Sequence, residues 1–145
     1  MCGLMHDIGK PVLLQSIPVE YLPILNDVYR GQASFHESEM SSFGFSHAHV
    51  GALLAGKWNF PPHLAEAIGY HHDPLSAPSF SNLACVTSLA NQIMIFLEIG
   101  FERNKNLRLD TLREFEILKL NRSVIDTIVE EAAGFLSQMT DSAEI

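Results

Sequence analysis

The sequence predicts an all-α domain. Apolar residues recur at helical spacings along nearly the whole chain, and no stretch alternates apolar and polar residues as a half-buried strand would. The chain has 145 residues, of which 47% are apolar, and this size and composition suit one globular domain with a core of its own. We expect that domain to cover residues 1–140 and the tail over 141–145 to be frayed.

Three helices are predicted in the first half from residues that start and stop helices. Prolines in the first turn, and a glycine or a further proline after the end, predict helices over residues 18–31 and 61–72. A third helix, over residues 47–58, is predicted from a stripe with helical spacing. The stripe consists of His47, Val50, Gly51, Leu54 and Trp58. If the stripe is core, Trp58→Ala should cost about 3–5 kcal/mol.

Three more helices are predicted in the second half. The first has an apolar seam of Leu83, Val86, Ala90, Ile93 and Leu97. Thr111 and Glu114 have the spacing of a capping box for the second helix, and Ser123 is placed to cap the third. The seam of that last helix is Ile125, Ile128, Val129, Ala132 and Leu136.

Charge and composition argue against several classes of function. The formal charge of −8 argues against sequence-independent binding to nucleic acid. Cys2 and Cys85 lack C-x-x-C spacing, as expected in a reducing cytoplasm, and no signal peptide is visible. Polar residues interrupt the most apolar run, which therefore predicts a buried helix rather than a membrane span. We expect a cytoplasmic protein with neither a nucleic acid nor a membrane as partner.

The stretch HDIGK, residues 6–10, places two potential metal ligands beside a glycine and a lysine. Neighbouring residues on a helix point about 100° apart, so His6 and Asp7 converge on one target only near a helix end. We expect Gly9 to supply that end. A metal with an anion near Lys10 is one interpretation, and a structural His-Asp pair is the other.

Four stretches resemble the HD superfamily, most closely its HDOD branch (HD-related output domains): HDIGK, FGFSHAHVGALLAGKWNFP, AIGYHHDP and SLANQI. The resemblance runs from residue 3 to about residue 95, and more loosely to about 135. Further positions that match the branch are Glu37, Gly44, His47, Ala48, Val50, Gly51, Ala52, Trp58, Pro61, His71 and His72. The implied fold is an HD-domain-like helical bundle that here lacks the family's N-terminal helical lobe.

The resemblance also implies a site. Enzymes of the superfamily hold a metal with a histidine, the His-Asp pair and a later aspartate, and the metal activates water against a phosphoester. The positions that match metal ligands are His6, Asp7 and His47. The positions that match further ligand-binding residues are Lys10, His71 and His72, of which Lys10 would contact the phosphate in an active phosphohydrolase.

The chain departs from the family pattern at three points. The family's first histidine precedes the His-Asp pair by more residues than this chain has, Asn91 replaces the later aspartate, and HHDP lacks the HD-GYP continuation. These departures predict low metal affinity and no cofactor. The expected function is a non-catalytic signalling module that binds a partner or a nucleotide-like ligand. The alternatives are an iron-, manganese- or zinc-dependent phosphohydrolase acting on a nucleotide or cyclic dinucleotide, and a structural zinc site.

Each candidate also has a purely structural interpretation. His47 could be a buried histidine bonded to Asp7 or Glu37, and Asn91 could make an interhelical hydrogen bond. His71 and His72 are expected in the last turn of their helix, where the helix dipole favours positive charge. His49 and His63 are expected at the surface.

Without the family's N-terminal lobe, an apolar surface near residues 4–30 should be uncovered. The residues expected in it are Leu4, Met5, Val12, Leu13 and Leu14. Contiguous apolar patches of more than a few hundred Å² are uncommon on monomers. The sequence therefore predicts a protein partner or self-association, most simply as a two-fold homodimer.

Overall fold

The computed structural model describes residues 1–142, with side chains through residue 138, and this part of the chain is helical without a strand. The all-α prediction is confirmed. The helices are α1 (Cys2–Met5), α2 (Gly9–Ser16), α3 (Pro18–Tyr29), α4 (Phe35–Phe43), α5 (His47–Lys57), α6 (Pro62–Gly69), α7 (Ser81–Phe96), α8 (Glu114–Ile117) and α9 (Arg122–Ser142). In the predicted tail, α9 reaches Ser142 and residues 143–145 lie outside the described part. None of these helices combines the length and apolarity that a membrane crossing requires.

Two apolar clusters flank the central α5–α6 pair. The first joins α2, α3 and α4 through Leu13, Tyr21, Ile24, Val28 and Phe35. The second joins α7, α8 and α9 through Leu89, Ile93, Leu109, Phe115 and Ile125. Between them, α5 packs closely on α6 because Gly51 has no side chain; a Cβ there would lie 2.7 Å from a methyl group of Ile68.

Gly9 begins a helix rather than ending one, so the role predicted for it is wrong. α1 ends at Met5 and α2 starts at Gly9, which leaves His6 and Asp7 in the turn between two helices. The predicted convergence of these two residues at a helix end is confirmed. Gly9 serves close packing instead, since a Cβ there would lie 2.0 Å from the carbonyl oxygen of His47.

The buried faces of α5 and α7 differ from the predicted stripes. Trp58 is 50% exposed at the end of α5. The prediction that Trp58 belongs to the core is therefore wrong, and with it the reason to expect a large loss of stability in Trp58→Ala. The buried residues of α5 are His47, Ala48, Gly51 and Ala55. In α7 the predicted seam residue Val86 is 50% exposed, because α7 packs against α6 on one side and α8 on another and buries a broader, shifted arc.

The caps of the last two helices also differ from the prediction. Thr111 and Glu114 form no capping box, because Glu114 instead accepts a buried hydrogen bond of 2.7 Å from the Ser88 hydroxyl. The side chain at the start of α9 that accepts a backbone N–H belongs to Asn121, not to Ser123.

Candidate metal centre

Three segments bring potential metal ligands together. His6 and Asp7 lie in the turn between α1 and α2, and His47 is the first residue of α5. His71 and His72 follow α6, in the turn after its last residue. The structure thus assembles, from three places in the sequence, all five residues that match ligand positions of the family.

The ligand atoms of these five residues lie close together. His47 Nε2 lies 3.2 Å from Asp7 Oδ1 and 3.0 Å from His72 Nε2. His71 Nε2 lies 3.9 Å from Asp7 Oδ1, and His6 Nε2 lies 3.4 Å from Asp7 Oδ2. The ligand atoms of His47, His71 and His72 fall within 4.8 Å of one another, as do those of His6, Asp7 and His71.

Backbone hydrogen bonds orient two of these histidines. His6 Nδ1 lies 2.8 Å from the Gly3 carbonyl oxygen, and His71 Nδ1 lies 2.7 Å from that of Ile68. Because a carbonyl only accepts, each Nδ1 donates a proton to it, and a neutral ring in this orientation has its lone pair on Nε2. Both Nε2 atoms are buried and have no hydrogen-bond partner among the residues that the structure describes. An imidazole fixed in this way presents Nε2 to a metal when the ring is neutral.

Glu39 orients His47. Its fully buried carboxylate accepts the His47 backbone N–H at 2.7 Å and the Nδ1–H at 2.6 Å, and it also accepts the Tyr21 hydroxyl. Of the two predicted partners of His47, Asp7 is confirmed at 3.2 Å from Nε2, whereas Glu37 instead forms a capping box with Ser34 at the start of α4. The hydrogen bond to Glu39 thus occupies His47 Nδ1, and His47 Nε2 lies toward Asp7 and His72.

Lys10 and Asp7 form an ion pair at the open side of the cluster. Lys10 Nζ donates to Asp7 Oδ2 at 2.8 Å and lies 4.4 Å from the centre of the Phe35 ring. Burial alone would raise the pKa of the Asp7 carboxyl, but His47 and Lys10 outweigh it and hold that pKa well below its usual range. Lys10 is therefore already engaged rather than free to contact a phosphate.

Asn91 lies on α7, beside the cluster. It lines a cavity of about 430 Å³ together with Asp7 and Lys10. Within the described part of the chain its amide makes no hydrogen bond, so the predicted interhelical bond is not observed. An amide thus occupies the cavity wall where the family resemblance implies a carboxylate.

His71 and His72 are neutral, contrary to the prediction. α6 ends before them, and burial lowers the pKa of His71 to about 3. Burial, together with His71 and His47, also lowers the pKa of His72. His36, which the sequence analysis did not single out, stacks on His72 with ring centres 4.4 Å apart. The cluster therefore excludes positive charge at these rings.

Acidification is expected to destabilise the fold below about pH 6.5. His71 and His72 have depressed pKa values in the folded state, so between pH 6.5 and about 4.5 the unfolded chain binds more protons. The free energy of unfolding should fall by about 1.4 kcal/mol per pH unit for each group. Burial lowers the pKa of His47, but Asp7 and Glu39 raise it more strongly, so protonation of His47 stabilises the fold as the pH falls toward 6.5. Below pH 6.5 this contribution is constant and leaves the slope due to His71 and His72 unchanged.

Thermal melts followed by circular dichroism from pH 8 to pH 4.5 measure this effect. His72→Ala should flatten the fall in melting temperature. His63→Ala should leave it unchanged, because His63 is exposed outside the cluster, as predicted. A wild-type melting temperature that stays constant over this range would contradict the neutral, buried state of these rings.

Sequence and fold comparisons give the chain its family. Residues 1–74 match the family model of the HDOD domain. A stretch of 99 residues is 27% identical to an uncharacterized protein of Treponema pallidum (strain Nichols), covering 68% of this chain and 19% of that protein. The chain thus spans about a fifth of this curated relative.

Two crystal structures share the fold. One is an HDOD domain protein with unknown function from Geobacter sulfurreducens, with a TM-score of 0.75, 22% identity, and coverage of 90% of this chain and 48% of that one. The other is a protein from Shewanella amazonensis SB2B, proposed to be a phosphohydrolase, with a TM-score of 0.64, 29% identity, and coverage of 95% and 48%. This chain spans about half of each. Since the family model matches half of this chain, the chain belongs to the HDOD family.

Proposed function

We propose that this chain is a regulatory HDOD module that holds a divalent metal and does not turn over a phosphoester. The observation that carries the proposal is the pair of buried Nε2 atoms of His6 and His71, for which residues 1–138 offer no hydrogen-bond partner. An unpaired buried polar atom costs about 1–3 kcal/mol. A bound cation would satisfy both atoms at once.

The donor set fits a divalent transition metal. Imidazole nitrogens from four histidines and one carboxylate suit zinc, iron or manganese. When bound, such an ion would supply Lewis acidity beside Asp7. Glu39 and the backbone carbonyls of Gly3 and Ile68 hold the rings in place from outside the cluster. These contacts from outside the cluster favour tighter metal binding than the sequence alone predicts.

Features around the cluster support a role without catalysis. Asn91 offers a neutral amide where a catalytic metal site of the family would have a carboxylate. Lys10 is held by Asp7. The adjoining cavity carries two carboxylates, Asp7 and Glu102, against the single cation of Lys10, an arrangement that disfavours a phosphate.

A metal-dependent phosphohydrolase acting on a nucleotide or cyclic dinucleotide is the second candidate. The ligand cluster itself favours it, as does the 29% identity to the Shewanella protein proposed to be a phosphohydrolase. In that case Asp7 and the histidines would hold the metal, and Lys10 would have to leave Asp7 to contact the substrate.

Phosphodiester turnover by metal-loaded protein separates the two candidates. The chain is loaded in turn with zinc, manganese and ferrous iron, dialysed, and analysed for metal and for hydrolysis of bis(p-nitrophenyl) phosphate and a cyclic dinucleotide. We expect the wild-type chain to retain about one metal ion or more. Its phosphodiester turnover should not exceed that of His71→Ala. Turnover that His71→Ala abolishes would establish the second candidate, and a chain that retains no metal would overturn both.

We also propose that the chain associates with a second copy or a partner protein through α1–α3, in a reducing cytoplasm where Cys2 and Cys85 stay free. Leu4 and Val19 are 85% and 76% exposed, although Leu13, which was expected in this surface, is buried. Leu14 is 39% exposed, whereas Met5 and Val12 are half-buried.

Sedimentation equilibrium at micromolar concentrations is expected to show a dimer that Val19→Glu dissociates, because the charge would have to be buried. The matched control is Leu53→Glu, at a residue that is also 76% exposed but lies on α5. A wild-type chain that stays a 16.1 kDa monomer would contradict self-association.

A further inference from the structure

A cavity of about 430 Å³ opens beside the histidine cluster, between α2, α3, α7 and the segment after α7. We propose that it binds a small, mainly apolar amine. Its volume lies in the range of small-molecule sites, about 300–1,000 Å³. The inference goes beyond the proposed metal centre and does not depend on a bound metal.

The walls of the cavity are largely apolar. The apolar side chains that form them are Pro11, Leu14, Leu25, Ile95, Ile99 and Phe101. Three of these remain open to solvent in the single chain: Pro11, Leu14 at 39% and Phe101 at 61% exposed. An aliphatic ligand would cover these side chains, and the apolar area removed from water would contribute to binding.

The polar groups of the cavity favour a positively charged head group. Lys10 and Asp7 neutralise each other at 2.8 Å. Glu102 Oε1 accepts the backbone N–H of Phe35 at 2.7 Å, whereas Oε2 makes no bond within the described part of the chain. The carboxylate thus has a free acceptor oxygen next to the exposed ring of Phe101. An ammonium group would be attracted both by the carboxylate and by the face of the aromatic ring.

The same groups disfavour an anion. Glu102 would repel a phosphate or carboxylate head. Lys10, the only cation among the described residues that line the cavity, is held by Asp7. The uncommitted amide of Asn91 is a further acceptor for an amine N–H. Chain length being equal, affinity should therefore decrease from amine to alcohol to carboxylate.

Calorimetric titration with octylamine, octanol and octanoate tests this order. We expect octylamine to bind roughly tenfold more tightly than octanol, equivalent to about 1.4 kcal/mol, and octanoate to bind more weakly than either. Glu102→Gln keeps the oxygen that Phe35 uses and should reduce octylamine to the affinity of octanol. Leu14→Trp should fill the mouth and weaken octylamine and octanol alike, whereas Leu53→Trp, on an exposed part of α5, should not.

Metal content is measured in the same samples, so a failed metal centre is recognised separately from a failed ligand site. Octanoate binding as tightly as octylamine, unchanged affinities in Leu14→Trp, or no binding of octylamine would each overturn the proposal. Melting temperatures of the three variants close to the wild-type value show that the fold is retained.

Discussion

Gly9→Ala is expected to prevent the chain from folding. The added Cβ would lie 2.0 Å from the His47 carbonyl oxygen, and the atoms on both sides belong to helix backbones that cannot move independently. Overpacking of side chains alone typically costs about 1–3 kcal/mol. A clash with backbone should exceed that range and approach the whole stability of a small domain, about 5–15 kcal/mol.

Far-ultraviolet circular dichroism and the melting temperature report the outcome. Gly56→Ala, in α5, is the matched control because nothing lies within 4 Å of its added Cβ; it should stabilise the protein slightly. A Gly9→Ala protein that melts at the wild-type temperature would contradict the close contact between α2 and α5, which also positions His47 opposite Asp7.

Glu39→Ala is expected to cost about 3–5 kcal/mol, because it leaves donors of His47 and Tyr21 buried without an acceptor. Urea unfolding measures the loss. Glu37→Ala, two residues away on the exposed side of α4, removes only a capping interaction and should cost about 1 kcal/mol. Equal costs for the two variants would contradict the central position of Glu39.

Glu39→Gln separates orientation of His47 from stability. The amide can still accept a hydrogen bond, so this variant should fold better than Glu39→Ala. If Glu39 orients His47 for metal, zinc affinity should fall about 10- to 100-fold in Glu39→Gln. Unchanged zinc affinity in a folded Glu39→Gln would show that Glu39 contributes to packing only.

The sequence predicted the helical class and the starts of several helices because proline, glycine and apolar spacing act locally. Pro18 begins α3, and Gly31 follows it with a positive φ of 68°. The candidate ligand residues come from short motifs through the family resemblance, since periodicity alone does not show that His6 and His71 meet. Their convergence depends on how α1, α2 and α6 pack.

The residues that the sequence analysis missed depend on tertiary contacts. One feature of the sequence could have indicated Glu39. It lies four residues after Phe35 and therefore on the same, buried face of α4, whereas Glu37 lies on another face. Trp58 was misplaced because α5 ends just before it, so the buried stripe never reaches it. Neither the stacking of His36 on His72 nor the close approach of Gly9 to His47 has a local signature.

Zinc titration of the metal-free chain by calorimetry tests the central claim most directly. His71→Ala removes one of the two buried Nε2 atoms that have no partner in the described part of the chain, and His63→Ala removes an exposed histidine outside the cluster. We predict tight binding of at least about one zinc ion by the wild type and by His63→Ala, and binding roughly 100-fold weaker or absent in His71→Ala. Equal zinc affinity in wild type and His71→Ala, or no zinc binding by the wild type, would contradict a metal centre at this cluster.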